Sequence, residues 1–426
     1  MELARERQTS TAAVTAGVVG NVLEWFDFGV YSYFAAVIGK LFFPGHDPLA
    51  QLMSSFAVFA VGFFFRPLGA LIFGHYGDRA GRRNALAVTV IMMAVATFAI
   101  GVMPTYDSIG VLAPILLVVA RLVQGLSAGG EWGGSTSFIV EYAAENRRGY
   151  IGSFQQVSTG GGFLLGSLTA ALVTNTMPAD AVASWGWRIP FILGIVVGAV
   201  GLYMRLGLPD TPKFREVEER GEVAKSPLVE SLSTHFKDVA RAFGFTVLWT
   251  VAFYVMLTFM PSYLNTVVKL PLNLALISNT IQLLFFIIMI PVFGALSDRY
   301  GRKPFLIASA VGFLVFTYPV FILISSGNFV VIILCQMFFA LILAFFSGAG
   351  PAAIAEIFPT RLRYSSLSVG YNISVMAFGG TAPFIATWLI SVTGNPMAPT
   401  FYVIAAAIIT LFVHLSLKET YKEALK

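Results

Sequence analysis

The chain has 426 residues, of which 57% are hydrophobic and only 12% charged, and its mean hydropathy is +0.79. A water-soluble domain carries about 25% charged residues, so composition excludes one and makes lipid the main solvent. The net charge of +5 is explained by orientation in a membrane rather than by nucleic-acid binding, and a single cysteine, Cys335, excludes an intrachain disulfide framework or a cysteine metal site.

Apolar stretches of about 20 residues, the length that spans a bilayer, recur twelve times. Six are centred near Val30, Val61, Met93, Gly125, Gly160 and Val197, and six near Val255, Phe285, Gly312, Leu341, Met376 and Ile404. No small-residue cleavage site follows the first, so it reads as a retained helix. The stretch from Asp210 to about Ala240 is the only long charged, proline-containing segment. The expected organisation is a six-helix bundle over 1–209, a cytoplasmic linker over 210–240 and a second six-helix bundle over 241–426. Of the 27 Lys and Arg, 22 fall in segments that lie inside if the amino terminus is cytoplasmic; only Lys40, Arg188 and Lys269 lie outside. The positive-inside bias thus predicts both termini in the cytoplasm.

The two halves share short elements. GHYGDRAGRR at Gly74–Arg83 returns as GALSDRYGRK at Gly294–Lys303, and a Glu seven residues before an Arg occurs as Glu141/Arg148 and Glu356/Arg363. This predicts an all-α membrane protein of two pseudo-symmetric six-helix bundles, a duplicated architecture that points to transport. The decapeptides either serve as topology signals or act with the second element as latches. In each, the Asp can sit near the positive end of a neighbouring helix. Asp78, Arg82, Glu141 and Arg148, with Asp298, Arg302, Glu356 and Arg363, are the expected cytoplasmic gate, broken when the halves rock about a central site.

Five charges fall inside predicted helices: Glu24, Asp27, Arg66, Arg121 and Glu131. Each costs roughly 2.5–3.5 kcal/mol at a helix centre, so they must pair or face water. At about 1.5 Å per residue, Asp27 and Arg121 share a layer near the midplane, with Glu24 and Glu131 about a turn lower, near Arg66. Three carboxylates face two guanidiniums. A proton is the natural counter-charge, and a solute competing for Arg121 would release Asp27 to bind one. Asp27 is the expected coupling acid; Glu24 or Glu131 in that role, or a purely structural lock, are the alternatives.

At these residues the chain resembles the major facilitator superfamily, whose signature between helices 2 and 3 is G-x-x-x-D-R-x-G-R-R/K. It is similar above all to the metabolite:proton symporter branch through GNVLEWFDFGVY (Gly20–Tyr31), FRPLGA, RLVQGLSAGGEWGG (Arg121–Gly134), WGWRIPF and YNISVMAFGGTAP (Tyr371–Pro383). The resemblance implies the twelve-helix major facilitator fold, alternating access, and import of a small organic solute with protons. It also implies that the acid in helix 1 and the Arg in helix 4, matched here by Asp27 and Arg121, act as a pair.

For the solute, Arg121, Arg66 and Tyr31 are candidates, with neutral groups Gln155, Gln156, Tyr254, Gln282, Gln336, Tyr371 and Asn372, any of which equally suits an interhelical bond. Guanidinium suits carboxylate, which favours an organic acid. The alternatives are a proline- or betaine-type osmolyte, since YVMLTFMPSYL in helix 7 resembles the osmolyte carriers, and a non-coupled facilitator or exporter. GLSAG at Gly125–Gly129 fits a nucleophile pattern, but it lies mid-helix without the strand-to-helix turn and His partner that motif needs, so no enzyme is expected. Neither cofactor nor metal is expected, the coupling ion being the proton. The remaining expectations are a bacterial inner-membrane location, no nucleic-acid partner and function as a monomer.

Overall fold

The computed structural model describes residues 21–22, 24–80, 82–129, 132, 136, 139–140, 143–206, 236–358 and 360–423, with backbone only for 74–80, 82–86, 145, 204–206, 236 and 360–366. Among the described residues twelve main helices follow one another, with short helical turns between some of them. They are α1 (24–33, then Ala35–Phe42), α2 (Pro48–Phe64, then Arg66–Ala80), α3 (Arg82–Val102), α4 (Leu112–Ala128), α5 (Arg148–Thr176) and α6 (Arg188–Leu206) in the first half. The second half contains α7 (Phe236–Phe253, Tyr254–Phe259, Met260–Thr266), α8 (Leu272–Tyr300), α9 (Lys303–Ile324), α10 (Phe329–Glu356), α11 (Thr360–Ser374, Val375–Gly379, Ala382–Thr393) and α12 (Ala398–Ser416). Every apolar stretch read from the sequence falls on one of these.

Eight of the helices are long and apolar enough to cross a membrane by themselves, and α6 with the bent segment before it makes a ninth; α3 and α4 carry shorter apolar helices. In lipid every backbone group must be satisfied within the segment, which is why the chain resolves into helices. Their ends are locally encoded. The Asp47 carboxylate accepts from Leu49 N–H ahead of Pro48, Asn328 accepts from Val330 and Val331 N–H, and Gly394 at φ +64 stops α11.

The halves repeat one packing scheme. α2 packs on α4 as α8 packs on α10, and α3 on α6 as α9 on α12. Glycines set the first of these pairings. A Cβ on Gly125 would strike the Gly62 carbonyl, and one on Gly348 would lie 2.7 Å from both Gly294 N and Ile290 O. Small residues thus bring the backbones into contact in both halves. The bundles meet mainly along α5–α8, α5–α10 and α2–α11. Side chains such as Val119, Val196 and Phe412 remain on the outside, as expected for lipid contact.

One boundary differs from expectation. α7 begins at Phe236, so 236–240 is helix rather than linker, and an Asp238–Arg241 pair of 3.0 Å on successive turns supports it. Charge alone hid a helix that continues past its apolar part. Residues 210–235 of the expected linker lie outside the described residues.

Candidate solute cavity and gate

The buried charges of the first half are all paired or enclosed. Arg66 Nη2 donates to Glu24 Oε1 at 3.0 Å and to the Ala128 carbonyl at 3.2 Å, and its guanidinium lies over the Trp25 ring at 5.2 Å. Asp27 and Arg121 are both buried but reach each other through intermediaries. Arg121 Nη1 donates to Gln124 Oε1 (2.6 Å), Gln124 Nε2 donates to Thr97 Oγ1 (2.7 Å), and Thr97 meets the Asp27 carboxyl. The Arg121 guanidinium is roofed by Tyr31, Phe28 and Phe59 at 4.4, 4.8 and 5.0 Å. Such ring faces stabilise a desolvated cation. Glu131 lies outside the described residues.

Between the halves is a small cavity lined by Trp25 of α1, Gln156 and Thr159 of α5, Trp249, Thr250, Phe253 and Tyr254 of α7, and Tyr371 of α11. The two indoles are tied at their N–H groups. Trp25 Nε1 donates to Asn21 Oδ1 (3.1 Å), whose Nδ2 donates to Ser158 and Thr159 hydroxyls, and Trp249 Nε1 donates to Ser347 Oγ (3.0 Å). Their carbon faces are left to the cavity. Trp132 stacks on Tyr371 across the two halves, with centroids 3.4 Å apart and planes 5° from parallel. Tyr254 opens a π-helical turn and Val375 opens another in α11, one turn beyond Tyr371. Such turns re-aim side chains and recur at functional sites. The buried Tyr254 hydroxyl has no hydrogen-bond partner among the described residues. The cavity leaves about 20 Å³ for the centre of a water molecule, enough for about one.

Of the expected solute contacts, Gln156, Tyr254 and Tyr371 line this cavity and the others do not. Arg66 and Arg121 lie behind aromatic rings, as does Tyr31, whose hydroxyl donates to the Ser55 carbonyl (3.0 Å). Gln155 accepts from Gln156 Nε2 (2.6 Å), and Asn372 Nδ2 donates to the Gly129 carbonyl (3.3 Å), an interhelical bond. Gln282 and Gln336 are buried in the second half away from the cavity, with no amide partner among the described residues. Trp25, Thr159, Trp249, Thr250 and Phe253 were not singled out from the sequence. Six tryptophans and 39 phenylalanines in one chain give no signal that separates a cavity wall from a core.

At the end of the bundle that carries the decapeptides, the second-half gate residues assemble on α5. Arg148 Nη1 and Arg302 Nη2 reach Glu356 Oε1 at 3.1 and 3.4 Å, and Arg302 Nη1 reaches Asp298 Oδ1 at 2.7 Å. Asp298 also accepts from Gly149 and Tyr150 N–H at 2.7 and 2.8 Å, on the first turn of α5. A carboxylate there complements both the free N–H groups and the helix dipole. Gly301, at φ +99, makes the bend that returns α9 beside α8.

The segment after α12 joins this network, which the sequence did not suggest. Thr420 Oγ1 donates to Glu356 Oε2 (2.5 Å), Arg148 Nη2 donates to the Glu423 carbonyl (2.6 Å), and Glu419 accepts from Arg302 and Lys303 N–H (2.9 Å each). Glu141 lies outside the described residues, and so do the side chains of Asp78, Arg82 and Arg363.

Residues 12–230 match the sugar (and other) transporter family and residues 277–425 the major facilitator superfamily. The chain belongs to the major facilitator superfamily. Among its relatives in the superfamily is a glycine betaine/proline/ectoine/pipecolic acid transporter of Dickeya dadantii, 39% identical over 97% of this chain and 84% of that one. A proline/betaine transporter of Escherichia coli is 38% identical with the same coverage. The xylose transporter of Escherichia coli, in a partially occluded inward-open conformation, matches 98% of this chain and 100% of its own with a TM-score of 0.79 at 17% identity, a likeness of fold alone. The protein is a multi-pass membrane transporter of the major facilitator fold.

Proposed function

We propose that this transporter imports a small zwitterionic osmolyte of the proline or glycine betaine kind, driven by protons, by alternating access. The observation that carries the solute class is the aromatic wall of the central cavity: Trp25, Trp249, Tyr254 and Tyr371 surround it while neither Arg66 nor Arg121 lines it. Ring faces attract a positive ammonium within about 6 Å, and a quaternary or secondary ammonium offers few hydrogen bonds to lose. The Tyr254 hydroxyl, with the second N–H of the Gln156 amide in the same wall, supplies donors for one carboxylate. A citrate- or oxoglutarate-like polyanion would meet ring faces of the wrong sign, and the relatives transport osmolytes. The organic-acid expectation rested on Arg121 and Arg66 as solute contacts, and both lie inside the first bundle, outside the wall of this cavity.

Proton coupling is supported by the buried carboxyls Glu24 and Asp27 and by the indirect tie between Asp27 and Arg121. The distribution of Lys and Arg supports a bacterial inner-membrane orientation with both termini cytoplasmic, so that the charged network at Glu356 forms the cytoplasmic gate. The described residues of the cavity and of the gate contact one another within one chain, which supports function as a monomer.

The test is direct binding to purified protein. Glycine betaine and proline should quench tryptophan fluorescence, and Trp249→Leu and Tyr371→Leu should each weaken binding by about 10- to 30-fold, a loss of about 1.4–2 kcal/mol. Citrate should not bind. Tight citrate binding that survives both substitutions would refute the assignment.

A further inference from the structure

Trp249 is held in the wall of the solute cavity by α10, a helix that contributes no residue to that wall. Its indole N–H donates to the buried Ser347 Oγ at 3.0 Å, and its ring stacks on Phe346 with centroids 5.0 Å apart and planes 29° from parallel. A Cβ on Gly350 would stand 3.2 Å from the indole Cη2. Residues 346, 347 and 350 are at the three- and four-residue spacings of one helix face. Gly348 packs against the α8 backbone, where a Cβ would lie 2.7 Å from Gly294 N and Ile290 O, and this fixes the rotation of α10 that turns the face to α7. Phe245 and Trp132 meet the indole edge-on at 6.5 and 6.0 Å.

With Phe346 on one face and the nitrogen turned to Ser347, the indole presents ring carbon to the cavity. The Trp25 nitrogen is likewise spent on Asn21. The hydroxyls of Thr159 and Thr250 donate to carbonyls of their own helices, Gln155 at 3.3 Å and Thr246 at 3.1 Å. Donors for a carboxylate remain at Tyr254 and Gln156, so the two ends of a zwitterion meet different chemistry. A ring face attracts an ammonium whatever its substituents. Each N–H brought against that face, however, forfeits a hydrogen bond to water, whereas each methyl forfeits none and gains dispersion contact.

We propose that Ser347 is a positioning residue that sets solute selectivity: by taking the Trp249 nitrogen it keeps a ring face on the cavity, so the site ranks solutes by N-substitution, a trimethylammonium above a primary ammonium on the same carboxylate. The inference rests on the osmolyte reading above and adds what orders solutes within that class. Without Ser347 Oγ the indole N–H is a buried donor lacking its acceptor, a costly state. The ring relieves it by turning its nitrogen toward the cavity, where the solute carboxylate accepts. The ammonium then loses the face that distinguished a methyl from a hydrogen.

The experiment uses glycine, sarcosine, N,N-dimethylglycine and glycine betaine, which differ only in N-methylation. Each is titrated calorimetrically into purified full-length protein, and uptake of glycine betaine into liposomes is resolved into KM and maximal rate. Wild-type affinity should rise roughly tenfold or more along the series. Ser347→Ala should weaken glycine betaine about fivefold and compress the series to within about threefold, raising KM while the maximal rate stays within about twofold. Ser347→Thr keeps the acceptor and should restore the order. Should the alanine variant not reach the membrane, Gly350→Ala, which crowds the indole from the α10 side, should weaken glycine betaine more than glycine. A flat wild-type series, a wild-type order in Ser347→Ala, an equal loss for all four solutes in either variant, or a fall in maximal rate at unchanged KM would overturn the role of Ser347 alone. Wild-type protein that binds neither proline nor any of the four, and takes citrate instead, would overturn the osmolyte reading and this inference with it.

Discussion

Arg148 of the first bundle and Glu356 of the second are joined at 3.1 Å with both side chains only 2% exposed, so the two halves are locked at one end by a buried charge pair. Glu356 also takes Arg302 and Thr420, so three donors of the lock converge on it. Glu356→Gln leaves the buried Arg148 guanidinium without its carboxylate and Arg302 with Asp298 alone. Losing one partner of a buried pair costs about 3–5 kcal/mol, charged here to the closed state. Thiol labelling of a cysteine placed at the gate should rise steeply in this variant, and concentrative uptake should fall; unchanged labelling would show that the pair does not hold the gate.

The tail contributes a smaller share. Thr420→Val removes a hydroxyl donor to a charged acceptor, a bond of about 1.5–3 kcal/mol, whereas Thr420→Ser keeps it. Labelling of the same gate cysteine should increase in the valine variant and return to the wild-type level in the serine variant. Equal behaviour of the two would remove Thr420 from the gate.

Asp27→Asn keeps shape and polarity near Thr97 but holds no exchangeable carboxyl proton. Accumulation of solute against its gradient should disappear while exchange across the membrane persists. Normal accumulation would transfer the coupling role to another group.

Gly125 and Gly62 test the packing that both halves share. Gly125→Leu forces a side chain into the α2 backbone, an overpacking that the helix pair cannot absorb locally. The variant should aggregate in detergent or lose its thermal transition, while Val119→Leu on the same helix, where the side chain is 49% exposed, should leave the melting temperature unchanged.

Much of this was legible in the chain. Twelve apolar stretches and a repeated decapeptide gave the helices and their duplication, because bilayer thickness and backbone satisfaction leave little else possible. Asp298 beside a helix amino terminus and the Glu24–Arg66 level followed from charge and helical rise. The solute wall was not legible. Polar and charged residues inside a membrane stand out against their background, so Arg66, Arg121, Gln282 and Gln336 drew the assignment; Trp25, Trp249 and Phe253 have the same composition as the core around them, and only packing distinguishes them. The role of Thr420 was hidden for the opposite reason, since nothing in a short polar tail indicates that it folds back on a carboxylate 64 positions earlier.

The central claim is tested most directly by gradient-driven uptake into liposomes containing only this protein, with glycine betaine, proline, citrate, oxoglutarate, succinate and shikimate as solutes. Accumulation of glycine betaine or proline that requires an inward proton gradient and collapses with a protonophore is the result expected. Accumulation of a carboxylic acid in their place, or equilibration of betaine that ignores the proton gradient, would contradict a proton-driven osmolyte importer.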